Sequence, residues 1–141
     1  MPRTSKFWAK RSNGNADGWR SGLEKKVAAA LDAAAIPFQY EKRVIKYTSP
    51  PKDHRYTPDF EILSNGIIVE TKGRFVAKDR EKHLLVKAQH PELDIRFVFS
   101  NSSTKLYKGS PTSYADWCEK NGFKYADKVI PASWLKESPP S

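Results

Sequence analysis

Residues 56–63 and 67–72 are two apolar-rich segments joined through Asn65-Gly66, the dipeptide that most strongly favours a tight β-hairpin. A two-residue type I′ loop would pair Ser64 with Ile67 and Leu63 with Ile68, and would set Asp59 opposite Lys72. Side chains alternate along a strand, so this register puts Asp59 on the face that carries Glu70 and Lys72. Glu61 shares that face and is a competing carboxylate. A three-residue loop or a single bulge would invert one strand relative to the other. The hairpin therefore fixes a β-sheet at the centre of the chain and brings acids and an amine together on it.

The remaining elements surround this pair. Leu23, Val27, Ala30, Leu31 and Ala34 recur at helical spacing from Ser21 until Pro37 stops the helix. Residues 38–47 read as a strand bent near 41–43, and Ser49-Pro50-Pro51 as a stiff extended connector. A helix is expected from about Asp79 to His90, ended by Pro91, followed by a buried strand marked by Ile95, Phe97 and Phe99. Ser110-Pro111 fits the start of a helix that runs through Trp117 and closes at Asn121-Gly122. Short elements at 124–126 and 131–135 complete a chain with no internal repeat. The order of helix, three strands, helix, strand, helix indicates an α/β or α+β domain with a mixed sheet.

Composition narrows the partner. The 141 residues suit one domain, and 25 Lys and Arg against 16 Asp and Glu leave a formal charge of +9, the footprint of an anionic ligand. The longest apolar stretch, 27–36, is too short to cross a membrane, and residues 1–11 lack the apolar core of a secretory signal, so the protein is expected to be intracellular. Cys118, the single cysteine, forms no internal disulfide and no Cys-rich zinc site, and reads as a small core residue. Residues 1–20 carry Arg3, Lys6, Lys10, Arg11 and Arg20 without an apolar period and read as a flexible basic arm.

Two neighbouring carboxylates repel unless something compensates them. A hard divalent cation would do so: Asp59, Glu70 and the backbone carbonyl of Thr71 offer oxygen ligands suited to Mg²⁺, and Lys72 would point at the same water or phosphate oxygen. The competing reading is a surface hairpin with an ordinary cross-strand ion pair. Glu24 has two readings as well. Ser21-Gly22-Leu23-Glu24 matches a capping box, which by local sequence makes Glu24 a cap, although a first-turn glutamate can also face a metal beside the sheet.

The segments Ser21-Gly22-Leu23-Glu24, Tyr56-Thr57-Pro58-Asp59-Phe60, Asn65-Gly66-Ile67, Val69-Glu70-Thr71-Lys72-Gly73, 90–96 and 104–114 together resemble the endonuclease I family of T-seven-like bacteriophages, within the wider restriction-endonuclease-like superfamily with its Pro-Asp…Glu-x-Lys pattern. The resemblance spans roughly 20–136. It implies a restriction-endonuclease-like mixed sheet flanked by helices, and a homodimer that binds four-way (Holliday) DNA junctions by shape and cuts two strands symmetrically with one or two Mg²⁺ or Mn²⁺ per site. It also implies that Asp59 and Glu70 are metal ligands, Lys72 the catalytic lysine, and Glu24 a fourth active-site residue near a second metal. The family's intertwined dimer implies that 21–46 exchange between subunits across a bridge at 47–53, inside a nuclease domain of 21–136 followed by a tail at 137–141. The phage resemblance places the protein in the cytoplasm of the bacterial host.

Phosphate contacts are expected from Arg43, Lys46, Arg74, Lys78, Lys105 and Lys108, with Arg74 and the 105–108 loop the better candidates. His54, His83 and His90 lack metal-ligand spacing and read as surface or helix-end residues. Trp8, Trp19, Trp117 and Trp134 could stack on bases, although Trp117 and Trp134 fit core packing better. No membrane partner and no small-molecule cofactor is expected. The alternatives are a non-catalytic basic DNA- or RNA-binding module, and a nuclease of the same fold acting on ordinary duplex DNA.

Overall fold

The computed structural model describes residues 19–49 and 52–140. Most of the basic arm, Trp8, Pro50-Pro51 and Ser141 lie outside them. The central sheet has five strands in the order β1 (Phe38–Tyr40), β4 (Phe60–Ile62), β5 (Ile68–Lys72), β6 (Ile95–Phe99), β7 (Lys124–Asp127). The first two pairings are antiparallel and the last two parallel, so the sheet is mixed. Helices α2 (Ala77–Gln89) and α3 (Tyr114–Asn121) make the two crossovers between parallel strands.

Each face of the sheet is covered. Val27, Ala28 and Leu31 of α1 (Gly22–Ala33) and Trp134 of α4 (Ala132–Leu135) pack with Phe38, Tyr40, Phe60, Ile62, Val69 and Val98. On the other side, Val86 of α2 and Tyr114, Trp117 and Cys118 of α3 pack with Ile68, Phe75, Ile95, Phe97 and Phe99. Strand β6 sits between both layers and is buried at every position, as its apolar run leads one to expect. Trp19 is also buried, edge-on against Tyr40, although it falls within the segment read as an arm.

The hairpin differs from the tight turn suggested by Asn65-Gly66. Ile62 N–H bonds to Ile67 O and Glu61 pairs with Ile68, so residues 63–66 form a four-residue loop and Asp59 falls opposite Glu70 rather than Lys72. Asn65 keeps a negative φ, which a type I′ turn forbids, and Gly66 alone takes φ +76°. Tertiary bonds account for this choice: Asn65 Nδ2 donates to the carbonyls of Trp134 and Glu137, while its Oδ1 accepts from Ile67 N. The shift is two residues, and a shift of two preserves which face each side chain takes.

Three further expectations change. The strand expected at 56–63 is divided, because Asp59 N–H bonds to the Glu70 side chain and the chain leaves the ladder at Thr57-Pro58-Asp59. Tyr56 instead ends β3 (Lys52–Tyr56), which pairs antiparallel with β2 (Ile45–Ser49) in a separate two-stranded sheet. Within one chain the residues on either side of Pro50-Pro51 thus pair with each other. Helix α3 starts at the capping box Ser113/Asp116 rather than at Ser110-Pro111, and ends on Gly122 at φ +77°.

Arg96 is an internal charge within the apolar run of β6. Its side chain is 1% exposed and reaches Asp94 at 2.7 Å and Glu137 at 2.6 Å, with the guanidinium 5.2 Å from the Trp134 ring centre. It ties the start of the expected tail to the sheet. Arg96→Ala is expected to cost about 3 kcal/mol in urea unfolding, from lost charged hydrogen bonds and a cavity under Trp134. A loss below about 1 kcal/mol would show that this strap carries no stability.

Candidate active site

Three elements converge where the β4–β5 pair meets the start of α1. Ser21 caps α1 by accepting from Glu24 N–H at 3.1 Å. The other half of the expected capping box is replaced: the Glu24 carboxyl turns towards Asp59 and Glu41, and one oxygen from each of the three lies within 4.8 Å of the others. Glu41 was not among the candidates from sequence. It sits at φ +50° where the predicted bent strand breaks into β1 and β2, and a glutamate in a left-handed turn carries no local signature of function.

Asp59 is fixed by strand β5. Its Oδ2 accepts from Thr71 N at 2.9 Å and Thr71 Oγ1 at 3.0 Å, while its own N–H donates to Glu70 Oε2 at 2.9 Å. Tyr56 Oη donates to the same Glu70 oxygen at 2.9 Å. Lys72 Nζ lies 3.8 Å from Glu70 Oε1 and 3.6 Å from Asp79 Oδ1 at the first turn of α2. Arg20, Ser21, Glu24, Asp59, Thr71, Lys72, Gly73 and Arg74 line an open cleft of about 240 Å³ over these groups.

The structure thus gathers Glu24, Asp59, Glu70, Thr71 and Lys72. Glu61, the competitor on the same face, is engaged with Arg43 and Gln39. Arg43 is correspondingly committed to that ion pair, whereas Lys46, Arg74, Lys78, Lys105 and Lys108 are exposed and only Arg74 lines the cleft. His83, expected at the surface or a helix end, is fully buried with its Nε2 3.7 Å from Glu70 Oε1 and its ring edge-on to Tyr56 and Phe97. Its position on the inner face of α2, at helical spacing from Val86, is the signal that could have located it.

Electrostatics follow from this crowding. Burial first, then the Asp59 charge, pushes Glu24 up to about 7 and Glu70 up to about 8. Burial, reinforced by Lys72, holds His83 well below its ordinary value and therefore neutral. Burial and the Glu70 charge hold the Tyr56 phenol well above its usual value, so it remains a donor. The acids titrate above their unfolded value of about 4.5, so from there to about pH 8 the folded chain binds more protons than the unfolded one and stability falls as pH rises. In EDTA, Glu24→Gln should therefore melt above the unsubstituted protein at pH 8, with the gap closing towards pH 5. A gap of equal size at both pH values would contradict the repulsion.

A divalent cation fits this donor set. Glu24 Oε1 is buried without a hydrogen-bond partner among the described residues, and three carboxylates, Glu24, Glu41 and Asp59, meet at one centre, with Glu70 joined to Asp59 through its amide. All are oxygen donors, which suits Mg²⁺ or Mn²⁺ better than a thiolate-preferring metal.

A mixed sheet flanked by helices, with Asp59 leading into one strand, Glu70 and Lys72 on the next and Glu24 from the flanking helix, is an arrangement suited to a nuclease. The model of the phage endonuclease I family matches residues 4–140, and the chain belongs to that family. It is 60% identical over 119 residues to Endonuclease I of Escherichia phage T7, covering 84% of this chain and 79% of the relative. It is 59% identical over 119 residues to Endodeoxyribonuclease 1 of Enterobacteria phage T3, covering 84% and 78%. The protein is accordingly an endonuclease. None of the described helices is long and apolar enough to cross a membrane.

Proposed function

We propose that the protein resolves four-way DNA junctions by hydrolysing phosphodiester bonds with Mg²⁺ or Mn²⁺, acting as a homodimer that cuts two strands symmetrically. The observation that carries the catalytic part is the buried meeting of Glu24 and Asp59, with Glu70 locked to Asp59 through the 2.9 Å amide contact and Lys72 beside it. Asp59, Glu70 and the Thr71 carbonyl would hold one ion, and Glu24, with Glu41 adjacent, would serve a second. Bound there, the ion would polarise a phosphate oxygen and lower the pKa of a neighbouring water.

The chain's own residues supply the rest. Thr71 keeps Asp59 in a single rotamer by donating twice to one oxygen, which preorganises the acid before substrate arrives. Lys72, 16% exposed, faces the cleft and would offset charge as water adds in line to phosphorus, leaving 5′-phosphate and 3′-hydroxyl ends. Arg74 extends the positive rim, and Lys46, Lys78, Lys105 and Lys108 are exposed for phosphate contacts that weaken with salt.

How α1 and β1 attach supports the dimer reading. They pack on the sheet through β1–β4 pairing and the α1 face, and their chain connection to β4 runs through the β2–β3 hairpin. Separating β2 from β3 would let α1 and β1 make identical contacts on a second chain, a low-cost exchange that would bring Glu24 of one subunit to the site of the other. The whole reading is tested by cutting a radiolabelled four-way junction and a linear duplex of the same sequence. Mg²⁺-dependent, paired nicks confined to the junction by a particle of twice 16.1 kDa are expected. Equal cutting of the duplex, or cutting undiminished in EDTA, would overturn it.

A further inference from the structure

The two oxygens of Glu70 have different surroundings. The residue is 2% exposed, and its Oε2 is taken by two neutral donors, Tyr56 Oη and Asp59 N–H, each at 2.9 Å. Its Oε1 lies 3.8 Å from Lys72 Nζ and 3.7 Å from His83 Nε2, beyond hydrogen-bonding distance of either. One oxygen is held by the protein, and the other faces Lys72 and His83 without a hydrogen bond to either. A glutamate has three side-chain torsions, so a carboxylate this far from its backbone points one way only if something outside the strand holds it.

We propose that Tyr56 is the positioning residue for Glu70: its hydroxyl, together with the Asp59 amide, commits Oε2 and so presents Oε1 to the divalent cation. The inference rests on the reading of Glu70 as a metal ligand made above. Tyr56 can act this way because it does not move freely. Its ring is 1% exposed, lies edge-on to His83 at 5.2 Å, carries the Lys82 ammonium 5.5 Å over its face, and comes from the end of β3, whose pairing with Ile45 fixes the backbone. The clamp comes from the small β2–β3 sheet and the ligand from the central one, so their contact also sets the spacing between the two sheets at the site. Partners of this kind, which orient a ligand without touching the ion, typically affect metal affinity strongly.

Tyr56→Phe keeps the ring and deletes only the hydroxyl. Mn²⁺ binding to the full chain, measured by calorimetry without DNA, is expected to weaken by roughly 10- to 100-fold. Junction affinity in EDTA should stay within a factor of about two, and saturating Mn²⁺ should recover most of kcat, because a positioning residue alters occupancy of the site before it alters the chemical step. Val86→Ala, which loosens the same face of α2, is the control for general destabilisation: it should melt earlier than the unsubstituted protein yet bind Mn²⁺ equally. Tyr56→Phe binding Mn²⁺ within about twofold of the unsubstituted protein, while Glu70→Gln loses it, would overturn the role of Tyr56 and leave the ligand assignment standing. Equal Mn²⁺ binding by Glu70→Gln and the unsubstituted protein would instead overturn the ligand assignment, and the proposal with it.

Discussion

Asp59→Asn is expected to slow Mg²⁺-dependent junction cutting roughly a thousandfold or more, while junction affinity in EDTA stays within a factor of about two. Asp59 is the carboxylate that links Glu24, Glu41, Glu70 and Thr71. Its Oδ2 accepts two donors from Thr71, its amide holds Glu70, and its side chain adjoins Glu24 and Glu41. An amide there either presents its NH₂ to Thr71, losing the bond from the Thr71 N–H, or keeps its oxygen on Thr71 and turns the NH₂ into the acidic centre. Either way the charge that attracts a cation is gone and the geometry is disturbed. The same change should raise the melting temperature in EDTA at pH 8, because it removes the charge that raises its neighbours. Single-turnover cutting, gel-shift affinity and thermal melting separate these effects. Loss of junction binding in parallel with cutting would mean that the residue holds the fold or the DNA rather than the ion.

Lys72→Ala should lower kcat by roughly a hundredfold or more with little change in KM, the signature of a group whose contribution is made in the transition state. Its ammonium is fixed between Glu70 and Asp79, at 3.8 and 3.6 Å, so removing it also leaves a buried glutamate without its nearest cation. Glu70 would then take up a proton more readily, and the loss should deepen at low pH. Lys72→Arg is not expected to restore the rate, since a planar guanidinium cannot replace a compact ammonium held between Glu70 and Asp79. One charge out of a net +9 contributes little to binding DNA, so a large rise in KM would reassign Lys72 to substrate binding.

The elements that could be read from the sequence are those with strong local signals. The Ser21 cap with its amphipathic run, the Gly122 stop and the apolar strand at 95–99 all form close to where their patterns place them. The acidic face of the hairpin survived an incorrect register because the loop grew by two residues and kept the same parity. Features decided at a distance were not legible. Asn65 bonds to a segment near the carboxyl end, Asp59 gives its amide to a side chain instead of the ladder, and Glu41 reaches the site through a left-handed backbone position. Arg96 and His83 are charged or polar letters inside apolar patterns, and only the assembled fold shows that each is enclosed. Glu24 marks the same boundary: its local sequence describes a cap, and its carboxyl becomes part of the acidic centre only once α1 packs against β5.

The central claim is that these carboxylates exist together to hold a hard cation against DNA. Its most direct test is a crystal of the protein grown with Mn²⁺ and examined by anomalous scattering at the manganese edge. A peak within about 2.3 Å of an Asp59 oxygen, with Glu70 or Glu24 completing the shell, is the predicted result. A map with no peak at Asp59 at saturating Mn²⁺, in crystals whose protein cuts junctions, would contradict the account.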